Sequence, residues 1–197
     1  MDKQVIVAIG REFGSEGHEV AQKLAEKLEI QYYDRNLLDE FADQKDLDAE
    51  LLQKYDEVPK FKFPSRTVRG YSNSPIDNIK EIQSALLRTK AVDEDSFVIV
   101  GRCAEEVLKD FDCLVSVFIW SDTEVKIKHV MEKFNISRKE AERKIIRHDR
   151  YRKNYHDHFS KGKWGDSRTY DLCINSSRLG IDGTVDVIYD YIVKRFK

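Results

Sequence analysis

The sequence predicts an α/β fold built on a parallel sheet, and three observations carry that prediction. Short apolar runs rich in β-branched residues alternate with helical periodicity along the 197 residues, as βα units require. The first run, VIVAI (5–9), passes through a glycine-rich turn, GREFGSEGHEV (10–20), straight into a helical pattern. The residues richest in chemistry, the turn itself, Asp34 and Arg102, each lie at or just after the end of a predicted strand. That is the end at which parallel sheets hold their ligands.

Residues 5–9 read as a fully buried strand. Residues 18–28 read as a helix with Val20, Ala21, Leu24, Ala25 and Leu28 on one face. IQYYD (30–34) reads as a second strand, and 35–57 as an acidic stretch of helical pattern. Residues 58–75 hold all three prolines, interleaved with basic and aromatic residues, and predict a mobile loop. Pro75 suits the first turn of a helix reaching Ala91. SFVIVG (96–101) and CLVSVFIW (113–120) are two more buried strands. Ser121 with Glu124, and Ser137 with Glu140, have capping-box spacing. The second pair opens a long helix over 138–154. YDLCINS (170–176) is the last strand, and 182–196 a closing amphipathic helix.

With 41% hydrophobic and 36% charged residues, the chain predicts one domain over 1–197 with a small appended lobe. A net charge of −2 offers no global basic field for nucleic acid. The three cysteines are odd in number and form no C-x-x-C pair. They read as reduced core residues of a cytoplasmic protein. The N-terminal apolar run is too short for a signal peptide, and no run approaches a membrane span, so no membrane partner is expected. Charge is uneven locally: residues 138–163 hold ten Lys or Arg against four Asp or Glu, where an anionic ligand would be drawn.

The glycine turn is the first candidate site. Backbone N–H groups at a helix N-terminus bind phosphate unaided, and glycines let the backbone come close. A phosphate loop usually reads G-x-x-x-x-G-K-[ST]; here Gly17 is followed by His18 and Glu19. A phosphate site and a ligand-free βα turn therefore both stand. Glu19 offers an oxygen ligand for magnesium. Arg11, just before the turn, could lean over bound phosphates. Arg102 follows Gly101 at a strand end and reads as an anion-gripping residue or a surface arginine. Asp34 caps the next helix or binds substrate. Arg147 and Arg150 share a helix face, with Arg143 one turn earlier, and Asp149 and Arg152 point elsewhere. His156 and His158, two apart, read as loop or surface residues and not as metal ligands.

These strings together resemble the cytidylate kinase-like family. REFGSEG (11–17), YYD (32–34), GR (101–102), IIRHDRYRKNY (145–155) and YDLCINSSRLGI (170–181) carry the likeness. The resemblance implies a three-layer P-loop kinase fold with a five-stranded parallel sheet. It also implies a small helical acceptor lobe at 35–92 and a basic lid at 145–165. It places the donor phosphates of ATP, with Mg²⁺, at Phe13, Gly14, Ser15, Glu16, Gly17, His18 and Glu19. It puts the acceptor at Asp34, Arg102 and Arg152, and charge neutralisation at Arg11, Arg147 and Arg150. The chain departs from the true cytidylate kinases where Gly17-His18-Glu19-Val20 replaces Gly-Lys-Gly-Thr and Val100-Gly101-Arg102-Cys103 replaces Asp-Gly-Arg-Asp. The expected function is ATP-dependent phosphoryl transfer to a nucleoside monophosphate, CMP or dCMP foremost. A nucleotide-binding module without turnover, and a kinase for a non-nucleotide metabolite, are the alternatives.

Overall fold

The computed structural model describes residues 3–34, 67–68, 71–72 and 75–197. The helical pattern at 35–57, most of the loop at 58–75 and much of the acceptor lobe at 35–92 lie outside the described residues.

Five strands form one parallel sheet: β1 (Ile6–Arg11), β2 (Gln31–Tyr33), β5 (Phe97–Val100), β6 (Leu114–Trp120) and β7 (Leu172–Asn175), in the order β2-β5-β1-β6-β7. Within 58–75, β3 (Thr67–Val68) and β4 (Tyr71–Ser72) make a short antiparallel ladder, so the predicted loop is not wholly irregular. β1 is central and buried on both faces, which is why it reads as an unbroken apolar run. Its side chains alternate between the two cores. Val5, Val7 and Ile9 pack with α1 (Gly17–Leu28) and α6 (Ser176–Arg195). Ile6 and Ala8 pack on the other face with α2 (Pro75–Val92) and α3 (Ala104–Val107). A satellite core of Ile127, Val130, Ala141 and Ile145 joins α4 (Thr123–Phe134) to α5 (Arg138–Phe159), with Phe13 packed on it.

Several expectations are corrected. β1 runs two residues past the predicted end, because Gly10 and Arg11 stay paired with Phe118 and Ile119 of β6. The capping box at Ser137 forms, with Glu140 N–H donating to Ser137 Oγ and Ser137 N–H to Glu140 Oε2. The one at Ser121 does not: Asp122 is the N-cap of α4, and the Ser121 hydroxyl pairs with that of Ser177 at 2.9 Å. α6 begins at Ser176 and breaks at Gly180, whose φ of 66° is outside the helical range. Of the cysteines only Cys103 is buried; Cys113 is half-buried and Cys173 exposed on the edge strand, and none of the three forms a disulfide among the described residues.

α5 continues to Phe159, so His156 and His158 are helical and not in a loop. Their unlike positions follow from the i, i+2 spacing. His158 is exposed, whereas His156 is only 4% exposed and stands 2.9 Å from the Glu105 carboxylate of α3. Sequence periodicity could not show that a buried partner awaited it. The segment after α5 is fastened to the body: Ser160 Oγ and Lys161 N–H donate to Glu106, and Trp164 packs edge-on against Phe118. No described helix is long and apolar enough to cross a membrane.

Candidate functional site

The site grows from the end of β1. After Arg11 the chain turns through Glu12–Glu16 into α1, with Gly14 at φ 84° and Glu16 at φ 59°, both left-handed. A Cβ on Gly14 would stand 2.9 Å from Val130 Cγ2 and 3.1 Å from the Lys126 carbonyl oxygen. A Cβ on Gly17 would stand 2.7 Å from that of Arg11. The loop is therefore pressed against α4 on one side and against its own strand on the other. Helix geometry leaves the N–H groups of Gly17, His18 and Glu19 without intrahelical acceptors. We expect Gly14→Ala to destabilise the protein by about 1–3 kcal/mol, through strained φ and the contact with Val130. Thermal unfolding measures it, and an unchanged midpoint would show that the loop relaxes freely.

Hydrogen bonds from distant elements hold this shape. Ser15 is buried, and its Oγ donates to the Glu12 carbonyl at 2.9 Å. Ser176 Oγ donates to the Ser15 carbonyl at 2.8 Å. Phe13 N–H donates to Asp149 Oδ1 at 2.7 Å. Buried Lys126 bonds Glu12 at 2.8 Å and lies 3.7 Å from Asp149. Burial pushes the Asp149 carboxyl above the usual carboxylate range, despite the Phe13 N–H and the Lys126 ammonium.

In front of the loop lies a cavity of about 920 Å³, walled by residues 11–14 and 16–19, Asp34, the C-terminal half of α4 and one face of α5. Phe13, Gly14, Glu16, Gly17, His18 and Glu19 line it, as does Arg11. Ser15 does not, because its side chain is spent inside the loop. His18 Nδ1 lies 2.9 Å from the Tyr32 hydroxyl and 3.2 Å from Asp34 Oδ2. Asp34 in turn stands 3.8 Å from Arg102 Nη2. The loop, the end of β2 and the end of β5 thus share one rim. Arg102 is 1% exposed and left-handed at φ 61°, and the Lys80 ammonium donates to its carbonyl. It is a buried residue of the rim, not a surface arginine.

α5 differs from its sequence reading. Arg147 and Arg150 are exposed and do not line the cavity. Asp149 and Arg152, expected to point elsewhere, face the loop. Arg152 Nη1 donates to the Arg11 carbonyl at 3.3 Å, and its guanidinium sits 5.6 Å from the Phe13 ring centre. The reason is the packing of Ala141 and Ile145 on α4, which turns their stripe inward. Continued at helical spacing, that stripe reaches Asp149, Arg152 and His156. The apolar pair was the signal available in the sequence.

Sequence reasoning placed a helix after Ser121 but missed that α4 lines the site. His129 Nδ1 lies 3.3 Å from the Gly14 carbonyl and 3.6 Å from Glu16 Oε2. Lys133 Nζ donates to Glu19 Oε1 at 2.7 Å. Burial works to raise the Glu19 carboxyl, but the Lys133 bond and its charge hold it below the usual range. Among the described residues no group of three or more His, Cys, Asp and Glu side chains is placed to hold a metal.

A glycine loop on the central strand, opening a helix at a cation-lined cavity, agrees with what the comparisons find. The model of the cytidylate kinase-like family matches residues 6–178. The chain belongs to that family. This cytidylate kinase-like protein is 40% identical to an uncharacterized protein from Eubacterium ventriosum ATCC 27560 of known crystal structure. That likeness covers 96% of this chain and 98% of the other, with a TM-score of 0.76. Shikimate kinase from Bacteroides thetaiotaomicron matches at 14% identity and TM-score 0.55, over 95% of this chain and 98% of its own. Shikimate kinase from Acinetobacter baumannii, solved with shikimate, matches at 12% and 0.54, over 99% and 96%. At such identities these two show the fold alone, which is that of the P-loop kinases. Among curated proteins none matches the chain.

Proposed function

We propose that this protein transfers the γ-phosphoryl group of ATP to a small acceptor, a nucleoside monophosphate such as CMP or dCMP foremost. The observation that carries the reading is that Arg11, Arg152 and the N-terminal turn of α1 line one cavity, with Asp34 on its wall and buried Arg102 3.8 Å from Asp34. Phosphoryl transfer asks little of a protein beyond positioning and charge neutralisation. The loop N–H groups and the two arginines meet the donor phosphates, and the rim meets the acceptor. Magnesium would arrive on the phosphates. Such sites need only one or two carboxylates beside phosphate and water, and Glu19 is the one assigned here. When bound, the ion neutralises phosphate charge.

One observation favours a second reading, a nucleotide-binding module without turnover. His18, where a conventional phosphate loop carries lysine, is engaged with Asp34 and Tyr32. A coupled assay with ATP, Mg²⁺ and a panel of nucleoside monophosphates and hydroxylated metabolites separates the two. We expect transfer to at least one acceptor. ATP should also shift the backbone amides of residues 14–18, increasingly so as salt is lowered. Amide shifts without transfer to any acceptor would establish the module, and silent amides at millimolar ATP would remove both readings.

A further inference from the structure

We infer that Lys133 supplies, from α4, the phosphate-binding ammonium that the loop of this chain lacks. The inference rests on the ATP-binding reading above.

The conventional loop carries its lysine on the first turn of α1, one residue after the last glycine. Here that position is His18, whose ring is occupied by Asp34 and Tyr32. Yet an ammonium does stand at this turn. Lys133 reaches across from the last turn of α4 and bonds Glu19, the next residue along α1, at 2.7 Å. Lys133 and Glu19 both line the cavity. Lys126 is the other α4 cation near the loop, but it is buried, bound to Glu12 and not part of the cavity wall. Lys133 is exposed, on a flexible stem, and among the described residues Glu19 is the carboxylate it bonds. Such a pair is weak in water, so a polyphosphate can take the ammonium from it.

Glu19 thereby acquires a second role. Without ligand it parks the ammonium at the helix end. Glu19 would offer its carboxylate to magnesium carried by the phosphates, and Lys133 would then be left to the phosphate oxygens. Lys133 escaped the sequence reading because 114 residues separate it from Glu19.

The test is calorimetric titration of the full chain with ATP, ADP and AMP, with and without Mg²⁺. Lys133→Ala should weaken ATP binding by about tenfold, the worth of one charge-assisted bond, and AMP binding by much less. Lys133→Arg should keep most of the affinity. Glu19→Gln, which frees the ammonium, should tighten binding of ATP without Mg²⁺. His18→Lys placed in the Lys133→Ala protein should restore ATP affinity, because either lysine can occupy the same turn. The thermal midpoint of Lys133→Ala should stay close to wild type, since an exposed pair contributes little stability. Equal ATP affinity of wild type and Lys133→Ala overturns the inference and leaves the functional reading intact. A wild type that binds no ATP overturns both. A loss in Lys133→Ala that His18→Lys does not restore shows that Lys133 only shapes the loop, which also overturns it.

Discussion

Arg152→Ala should lower the turnover of phosphoryl transfer by roughly 10²–10³, while weakening ATP binding by only about tenfold. The larger factor is typical for removing one donor aimed at charge that develops in the transition state; the smaller is one ground-state charged hydrogen bond. Arg152 is the α5 arginine whose guanidinium reaches the loop, over Phe13 and against the Arg11 carbonyl. Its helix neighbours Arg147 and Arg150 are exposed, so alanine there should cost less. Steady-state rates together with equilibrium ATP affinities make the comparison. Equal losses of turnover at Arg150 and Arg152 would show that α5 turns its other face to the phosphates during the reaction. Equal losses in binding and turnover at Arg152 would assign it to ground-state binding alone.

Glu105→Ala should destabilise the fold by about 3 kcal/mol, the lower end of what removing one partner from a buried pair costs. At this chain length that is a fall of roughly 10 °C in thermal midpoint. Glu105 and His156 are both almost fully buried, and their contact at 2.9 Å joins α3 to the last turn of α5. The contact lacks good hydrogen-bond alignment, because Glu105 Oε1 has no well-formed hydrogen bond. That misalignment is why the low end applies. Replacing both residues, Glu105→Leu with His156→Phe, should recover part of the loss, since the buried carboxylate and imidazole are both gone while the Tyr170 hydroxyl loses its 3.4 Å contact with His156. Denaturant unfolding of the two variants checks this, and a single variant as stable as wild type would show that water serves as well as the carboxylate. The pair also bears on the site. His156 is one helical turn beyond Arg152, so the contact fixes the end of α5 that presents the arginine to the loop.

The sequence by itself determined the sheet, the glycine loop and the rim. A strand and the turn that follows it are written in adjacent residues. The alternation of apolar runs and helical stripes therefore exposed five parallel strands, and strand ends placed Gly14, Asp34 and Arg102 together before any contact was known. The Ser137–Glu140 cap was legible for the same reason, since its two partners are three residues apart. The tertiary structure decided which cations reach the cavity. Arg147 and Arg150 have the spacing of a binding pair, but the face α5 turns inward depends on Ala141 and Ile145 packing against α4. His156 looked like a loop residue until Glu105, 51 positions earlier, met it in the core. Phe13 is tied to Asp149 across 136 residues, and Glu12 to Lys126 and Glu19 to Lys133 across 114. Contacts at such separations leave no periodicity, because nothing along the chain repeats between the partners. They form only when helices settle on the sheet, and charge placement at this site is made almost entirely of them.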